Sequence, residues 1–318
     1  MRSALTMTLP RLNLLNLLLD LFPRFAYLWL RWADRWKWLD AGGEAERLDQ
    51  YARAKRYGKR AARKHRNKAA ASDDALDVEV LVTVYKYKDY VEQAVTSAQE
   101  AVEALRKHGW RGGIALVEDC GEDGSWELAC ELADASPVPM RLLQPAKNIG
   151  LTGARNLALM SSRSKAVFVL DADNKVYPEG LVNLWQLMQR EHATAAYGPL
   201  DVLTTTGESM GWVSDRPPDR QWMMTEGNHI DAMALFDTTV LQRAGGWDPQ
   251  LLKHCWGLED YELWVRLMRA NKHIAFHPEP VGQYLLKDDS MARTMNPRTW
   301  SSFCAYMRAK HSPEFQVS

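Results

Sequence analysis

The feature that most constrains the fold is an alternation of apolar, β-branched runs with segments of helical periodicity between residues 78 and 173. Each apolar run has the length of a strand, and each intervening segment is long enough for a helix. We predict strands at 78–85, 113–119, 139–144 and 166–173, with helices at 89–109, 125–134 and 150–162. Strands connected by helices in this way form a mostly parallel sheet with helices on both faces. The sequence therefore predicts an α/β domain.

Polar side chains follow three of these strands at the point where the chain leaves the sheet. They are Thr83 and Tyr85 after the first strand, Glu118 and Asp119 after the second, and Asp171 and Asp173 after the fourth. Ligands of parallel sheets bind beyond the carboxyl ends of the strands, which meet at one edge. A single acid in such a place is most often a turn or helix-capping residue. Three such endings at one edge instead indicate a shared binding crevice.

Two later segments also have regular patterns. Residues 256–272, WGLEDYELWVRLMRANK, are predicted to form a helix with Glu259 and Asp260 in its first turn, where acids complement the helix dipole. Before it, a strand is predicted around 230–236 and a short helix at 238–244. The stretch between 203 and 226 is predicted to be long and irregular.

Five motifs resemble those of family 2 glycosyltransferases and occur in the order seen in that family. They are VLVTVYKYKDYVEQAV, VEDCGEDGSWELA, NIGLTGARNLAL, VLDADN and GLEDYELWVRL. The DAD tripeptide alone is a weak signal, because short acidic motifs occur by chance. Its combination with an upstream NxGxxxARN and a downstream ED before LWxRL is specific. The resemblance extends across roughly 78–290 and implies the GT-A fold, which is Rossmann-like.

The resemblance also implies an activity. The chain is expected to be a metal-dependent, hexosyltransferase-type enzyme that moves a sugar from a nucleotide-sugar donor, UDP-linked, with inversion of the anomeric carbon. The acceptor is expected to be a hydroxyl of a carbohydrate or lipid-linked molecule, as in cell-surface polysaccharide or glycolipid synthesis. Two alternatives stay open. One is a non-catalytic sugar-nucleotide-binding or scaffold subunit, and the other is a nucleotidyltransferase, although TVYKYKDY lacks the glycine-rich loop typical of that class.

The donor contacts follow from the resemblance. Nucleotide-sugar binding is assigned to Thr83, Tyr85, Asp119, Asn148, Gly150, Arg155 and Asp171. Asp173 is the expected direct ligand of Mn²⁺ or Mg²⁺, with Asp171 near the metal or the donor ribose; such a cation would offset the charge of the leaving diphosphate. Arg155 lies at the start of a helix beside a glycine-containing turn, which suits a diphosphate. The alternative for Arg155 is an ion pair with Glu or Asp.

The acceptor side also follows from the resemblance. Asp260 is the expected general base, with Glu259 as the alternative. Acceptor or sugar contacts are assigned to Asn228, His229 and Asp231. His229 has a plain alternative as a half-buried, hydrogen-bonded histidine. The stretch 203–226 is expected to be an acceptor-side loop, in which Trp212 and Trp222 either stack on a sugar ring or anchor the loop by burial.

Two departures from the family pattern affect these assignments. The usual Asp-Asp-Gly-Ser is EDCGEDGS here, so Asp123 competes with Asp119 for the nucleotide. In YLLKDDSMAR, Lys287 stands where many relatives carry a histidine. If that histidine is a metal ligand, this chain binds a metal through Asp173 and the diphosphate alone, or Lys287 neutralises the diphosphate itself. Weak metal dependence is therefore an open alternative.

The N-terminal part differs in charge from the rest of the chain. Residues 1–71 contain 16 Lys/Arg and 6 Asp/Glu, whereas the remainder contains 24 and 34. We predict a helical arm over 1–71, a linker at 72–77 and a catalytic domain over 78–318. Aromatic and basic residues within 12–68 favour an anionic membrane surface, although packing on the catalytic domain or a partner stays open. No membrane-spanning helix and no nucleic-acid partner are predicted.

Cysteine usage bears on the compartment. The four cysteines, Cys120, Cys130, Cys255 and Cys304, form neither a CxxC motif nor a Cys/His cluster. The pattern predicts neither structural zinc nor a disulfide framework. The expected location is the cytoplasm, peripheral to the inner face of the plasma membrane.

Overall fold

The computed structural model describes residues 61–71, 75–251, 258–287, 297–311 and 314–317. The predicted arm before residue 61, part of the linker and Cys255 lie outside the described residues. The boundary between arm and catalytic domain stays a prediction.

A large sheet forms the centre of the protein. Its strands are β1 (Ala61–Arg66), β2 (Val78–Val84), β3 (Gly112–Glu118), β4 (Met140–Pro145), β5 (Ala166–Asp171), β7 (Ala195–Tyr197), β10 (Leu235–Asp237) and β11 (Ile274–Phe276). Their order across the sheet is β1-β4-β3-β2-β5-β10-β7-β11. β2 is parallel to β3 and β5, and β3 is parallel to β4. β10 runs antiparallel to both of its neighbours, and β1 runs antiparallel to β4.

Helices cover both faces of this sheet. They are α1 (Lys88–Lys107), α2 (Ser125–Ala135), α3 (Gly150–Ser161), α4 (Pro178–Glu191), α5 (Arg220–Thr225), α6 (Thr238–Arg243), α7 (Glu259–Arg269) and α8 (Pro297–His311). Every residue of β2 and β3 is buried, because helices pack on both sides of these central strands. Two apolar clusters result, one on each face; Val80 and Phe168 belong to the first, and Leu81 and Val169 to the second.

The predicted strands and helices between 78 and 173 are confirmed, with small shifts at their ends. The fourth strand ends at Asp171 rather than 173, because the carbonyl of Asp171 accepts the N–H of Asn174 and turns the chain. Asp173 therefore lies in the turn beyond the sheet. The strand predicted around 230–236 is confined to Leu235–Asp237.

The prediction of an irregular stretch over 203–226 was wrong in part. The stretch contributes β9 and the end of β8 to a second sheet of order β6-β12-β8-β9, formed by β6 (Lys175–Val176), β8 (Leu200–Thr204), β9 (Ser209–Val213) and β12 (Gly282–Leu286). All five residues of β9 are exposed, so the strand does not contribute the buried face from which strands are predicted in a sequence. The short helix α5 begins where the Asp219 side chain accepts the N–H of Trp222.

The prediction of a helical arm was also wrong at its C-terminal end, because residues 61–66 form a strand. β1 pairs with β4 and satisfies the backbone groups at that edge of the sheet. Its exposed Arg63, Lys64 and Arg66 keep this outermost strand charged, as is typical of edge strands. None of the helices in the described ranges combines the length and hydropathy needed to cross a bilayer.

Candidate active site

A cavity of about 680 Å³ opens beyond the carboxyl ends of β2, β3 and β4. Tyr85 and Asn148, both predicted to contact the nucleotide, line it together with Lys86, Cys120 and Lys147. The Tyr85 ring is 43% exposed, and the Lys86 ammonium lies 5.4 Å from its centroid. An exposed aromatic face between cations suits a base and a phosphate-bearing ligand.

Asp119 is buried beside this cavity and organises its rim. One carboxylate oxygen accepts the N–H of Ile149 at 2.8 Å, and the other accepts the Asn148 amide at 3.0 Å. Burial raises the pKa of Asp119 to about 7, although the N–H groups of Ile149 and Gly150 favour the charged form. The predicted nucleotide contacts Asp119, Asn148 and Gly150 are thus brought together at the start of α3.

Asp123 and Asp119 differ in the groups that their carboxylates contact. Asp123 also lines the cavity, but its carboxylate accepts the N–H and hydroxyl of Ser125 at the start of α2 and the N–H of Lys88 at the start of α1. Glu118 is likewise occupied, by Gln144 and by the N–H groups of its own loop. The Asp119 carboxylate is engaged as well, by Ile149 and Asn148, so the choice between Asp119 and Asp123 for contact with a base stays a prediction.

Arg155 is fully buried and joins two of the predicted acids. Its Nη1 donates to Glu259 Oε1 at 2.6 Å, and its Nη2 donates to Asp171 Oδ1 at 2.7 Å. Thr83 Oγ1 donates to the same Asp171 oxygen at 3.4 Å. Of the two roles left open for Arg155, the structure favours the ion pair, and the pair is buried. We therefore treat Arg155 as a positioning residue; a contact between Arg155 and a diphosphate stays a prediction.

Asn156, the neighbour of Arg155, fixes a second turn of the site. Its side chain donates to the Trp247 carbonyl at 2.7 Å and accepts the Trp247 N–H at 3.0 Å. Gly246, with φ of +66°, leaves room for this contact, since a Cβ there would lie 2.1 Å from Asn156 Oδ1. The indole ring of Trp247 in turn lies 5.7 Å from the Arg155 guanidinium carbon.

The expected base, Asp260, lies in the first turn of α7 and is partly buried. The Asn228 amide donates to its Oδ2 at 3.0 Å. Burial raises the pKa of Asp260 well above its usual range, and the nearby Glu259 and Asp231 add to the effect. Glu259 is paired with Arg155, so Asp260 is the acid of this pair that can accept a proton from a ligand.

Asp231 completes the acidic group. Its Oδ1 accepts the N–H of Met233 at 2.8 Å, and burial raises its pKa to about 6. Burial raises the pKa of Tyr284, on β12, and the charges of Asp231, Asp173, Asp171 and Asp260 raise it further. Tyr284 was not predicted as a site residue from the sequence, in which its only signal is that it occupies an alternate position on a short strand.

His229 is half-buried, as its plain alternative requires. Neither ring nitrogen has a close hydrogen-bond partner among the described residues, although a backbone contact with Pro217 favours the charged ring, and the choice between the two roles stays open. Burial, together with Arg216, lowers its pKa, which favours the neutral ring. His229 adjoins Asn228 in sequence, and its acceptor role stays a prediction.

The two tryptophans of the 203–226 stretch are not buried anchors. Trp212 is 57% exposed, and its indole N–H donates to Asp201 Oδ1 at 2.7 Å. Trp222 is 38% exposed and faces the Arg216 guanidinium at 4.4 Å. The burial alternative was wrong for both residues, and stacking on a sugar stays a prediction.

The expected metal ligand, Asp173, is paired with a lysine that sequence reasoning noted but did not place. Lys287 Nζ lies 2.8 Å from Asp173 Oδ2 and donates to the Tyr87 hydroxyl at 2.7 Å. Asp171 is similarly paired with Arg155. In the described part of the chain, no three His, Cys, Asp or Glu side chains converge as a metal-binding set. Carboxylates are the right donor type for Mn²⁺ or Mg²⁺, but fixed cations already hold both of these, so the residues do not fit the expected ion.

Comparison with known proteins decides the family. Residues 79–243, just over half of the chain, match the family described as Glycosyl transferase family 2. The chain belongs to this family. This family 2 member is also 28% identical over 166 residues to Succinoglycan biosynthesis protein ExoO of Rhizobium meliloti (strain 1021), covering 52% of this chain and 45% of the relative. It therefore spans less than half the length of that curated relative.

Solved glycosyltransferase structures share the fold. The crystal structure of S. aureus TarS 1-349 in complex with UDP has a TM-score of 0.55 at 13% identity, over 73% of this chain and 64% of that one. Mannosyltransferase PcManGT from Pyrobaculum calidifontis, in complex with GDP-Man and Mn²⁺, has a TM-score of 0.52 at 18% identity, over 77% and 66%. At these identities the likeness establishes the fold alone, and it confirms the predicted GT-A architecture of this family 2 member.

Proposed function

We propose that this chain is an inverting glycosyltransferase that moves a sugar from a UDP-linked donor to a hydroxyl of a carbohydrate or lipid-linked acceptor. The supporting observation is the convergence of acids from separate parts of the chain around the buried Arg155, which pairs with Asp171 and with Glu259, the neighbour of Asp260. Asp171 and Asp173 follow β5, Asp231 precedes β10, and Asp260 opens α7. The raised pKa values of Asp231 and Asp260 agree with this arrangement, because burial raises both and neighbouring acids add to the effect.

The donor is proposed to bind with its base and ribose in the cavity. Tyr85 offers a ring face, and the carboxylate of Asp119 can accept a hydrogen bond from the N–H of uracil. The diphosphate then lies toward Asp171 and Asp173. Both UDP and GDP-Man occur among the structurally similar complexes, so the choice of base is part of the proposal.

In the chemical step, Asp260 acts as the general base and accepts one proton. The acceptor hydroxyl loses its proton to the Asp260 carboxylate as its oxygen attacks the anomeric carbon. The new carbon–oxygen bond forms on the face opposite the diphosphate, and the bond to the diphosphate oxygen breaks. The nucleoside diphosphate leaves with the bonding electron pair, and the anomeric configuration is inverted.

The acceptor class is proposed from the relative, whose name places it in succinoglycan biosynthesis. From the composition of the sequence, we also propose that the basic and aromatic residues within 12–68 bind an anionic membrane surface from the cytoplasmic side. Cosedimentation of the full-length protein with vesicles containing anionic lipid tests this part. Equal binding to neutral vesicles would contradict it.

The central test is a donor screen that measures release of free nucleoside diphosphate, with and without Mn²⁺. Release from a UDP-sugar in the presence of acceptor supports the proposal. The Asp260→Asn protein should bind UDP within about twofold of the parent and lose transfer by about 100- to 10,000-fold.

A matched control is Asp134→Asn, which changes an exposed acid near the end of α2 that pairs with His65. This variant should transfer sugar at the parent rate. Unchanged transfer by Asp260→Asn would remove Asp260 from the mechanism. No transfer by the parent with any donor would favour the scaffold alternative.

A further inference from the structure

Lys287 has an unusual environment for a lysine. It directly follows β12, and the residue is only 7% exposed. Its ammonium contacts the Asp173 carboxylate and the Tyr87 hydroxyl, and it lies 3.9 Å from the centroid of the Tyr87 ring and 4.9 Å from that of Tyr90. A carboxylate, a phenol oxygen and two aromatic faces therefore surround one positive charge.

These contacts form a preorganised site for the Lys287 ammonium. A buried ammonium is costly unless it is paired and hydrogen-bonded, and both conditions are met here. The ring faces of Tyr87 and Tyr90 add attraction for the positive charge. An ammonium has three N–H donors, and among the described residues Asp173 and Tyr87 engage two of them. The charge is thus fixed at Asp173, with donor capacity left for a phosphate oxygen.

The same contacts disfavour a divalent cation at this place. A metal bound to Asp173 would have to share the carboxylate with the Lys287 ammonium or displace it, and like charges at such distances repel strongly away from bulk water. At Asp171 a metal would also meet a fixed cation, because Oδ1 accepts from Arg155 as well as from Thr83. The described side chains therefore hold two fixed cations where the family resemblance implies a metal ion.

We propose that the Lys287 ammonium, held by Asp173 and the rings of Tyr87 and Tyr90, supplies the positive charge that offsets the departing diphosphate, so that transfer needs no divalent metal. This inference rests on the proposed function, since it concerns the diphosphate of the same donor. Lys287 keeps its proton throughout and donates a hydrogen bond to a diphosphate oxygen. Asp173 is then a positioning residue for the lysine rather than a metal ligand.

The test compares the full-length parent with Lys287→Met. Methionine is unbranched, as lysine is, but its side chain is apolar and carries no charge. Calorimetry measures UDP affinity in EDTA and in Mn²⁺. The parent should bind UDP equally in both, within about twofold. Lys287→Met should lose about tenfold or more in EDTA, and Mn²⁺ should restore part of the loss because Asp173 is then free to bind it.

A second measurement uses the metal alone. Electron paramagnetic resonance of free Mn²⁺ should show no binding to the parent and a new site in Lys287→Met. Lys287→Arg, which keeps the charge, should retain metal-independent UDP binding. Lys107→Met, an exposed change at the far end of α1, should behave as the parent in every assay. Circular dichroism shows whether each variant is folded. If Lys287→Met does not fold, the comparison of Lys287→Arg with the parent tests the proposal.

The overturning results are specific. UDP affinity of the parent that rises about tenfold or more with Mn²⁺ would overturn the inference, as would Mn²⁺ binding by the parent alone. Undiminished UDP binding by Lys287→Met in EDTA would overturn it as well. These measurements require no turnover, so a failure of the proposed transfer reaction in the donor screen is distinguishable from a failure of the role given to Lys287.

Discussion

The guanidinium of Arg155 lies 2.6 Å from the carboxylate of Glu259, and both side chains are buried. This pair connects α3 to the first turn of α7, where the proposed base follows one residue later. The other terminal nitrogen of Arg155 holds Asp171 at the end of β5. One buried cation thus sets the separation between the donor side and the acceptor side of the crevice.

Removal of this cation should be costly. In Arg155→Met, two carboxylates lose their partner, and a broken buried pair typically costs about 3–5 kcal/mol of unfolding free energy. Urea denaturation measures the change. As a control, Arg190→Met removes an exposed arginine that pairs with Glu191, and it should cost no more than about 1 kcal/mol. Equal stability of the two variants would show that the buried pair is not a structural link.

Nucleotide affinity should depend on pH through Asp119. Its pKa is about 7 because of burial, and a hydrogen bond from a base N–H is stronger to the charged carboxylate than to the neutral acid. Affinity for UDP should therefore fall as pH decreases below about 7, by about tenfold for each unit at the steepest. Calorimetry between pH 6 and pH 8.5 checks this, and Asp119→Asn should bind more weakly without the pH dependence. A flat profile for the parent would exclude Asp119 as the titrating contact.

The fall of kcat/KM at low pH, called the acid limb of the pH profile, should reflect the protonation of Asp260. A general base acts when deprotonated, and the pKa of Asp260 is raised, so kcat/KM should fall at a higher pH than for an ordinary carboxylate. Asn228→Ala removes the amide that favours the charged form, and the limb should move to still higher pH. Asn183→Ala, on α4, is the control and should leave the limb in place. Movement to lower pH in Asn228→Ala would contradict the assignment.

The turn at Gly246 should tolerate no side chain. In Gly246→Ala the new Cβ meets Asn156 Oδ1 and the residue keeps a positive φ, so the Asn156–Trp247 contacts must break. We expect a loss of about 1–3 kcal/mol in unfolding free energy together with a lower transfer rate. Gly207→Ala, also at positive φ but with open space around it, isolates the backbone effect. An equal loss in both variants would show that the contact with Asn156 is unimportant.

The sequence was sufficient for the parts of the fold that depend on local pattern. The buried strands are continuous apolar runs, and their ends position Asp119 and Asp171 at one edge of the sheet. β1 and β9 escaped prediction because their side chains are largely exposed, and their pairing depends on the neighbouring strand.

The side-chain pairings of the site escaped prediction for a different reason. Arg155 and Glu259 are 104 residues apart, and Lys287 and Tyr87 are 200 apart. Residue types at the strand ends indicate that charges meet, but which oxygen each cation takes depends on packing between distant elements. The choice between a metal ion and a lysine at Asp173 is of this kind.

The antiparallel pairing of β1 with β4 fixes where the first sixty residues join the sheet. Ala61 lies opposite Pro145, and Pro145 stands at the end of β4 that leads to Asn148 and the cavity. Had β1 run the other way, the chain would arrive at the far end of the sheet. Whatever the residues upstream of Ala61 bind is therefore connected to the protein at the cavity side of the sheet rather than at its opposite edge.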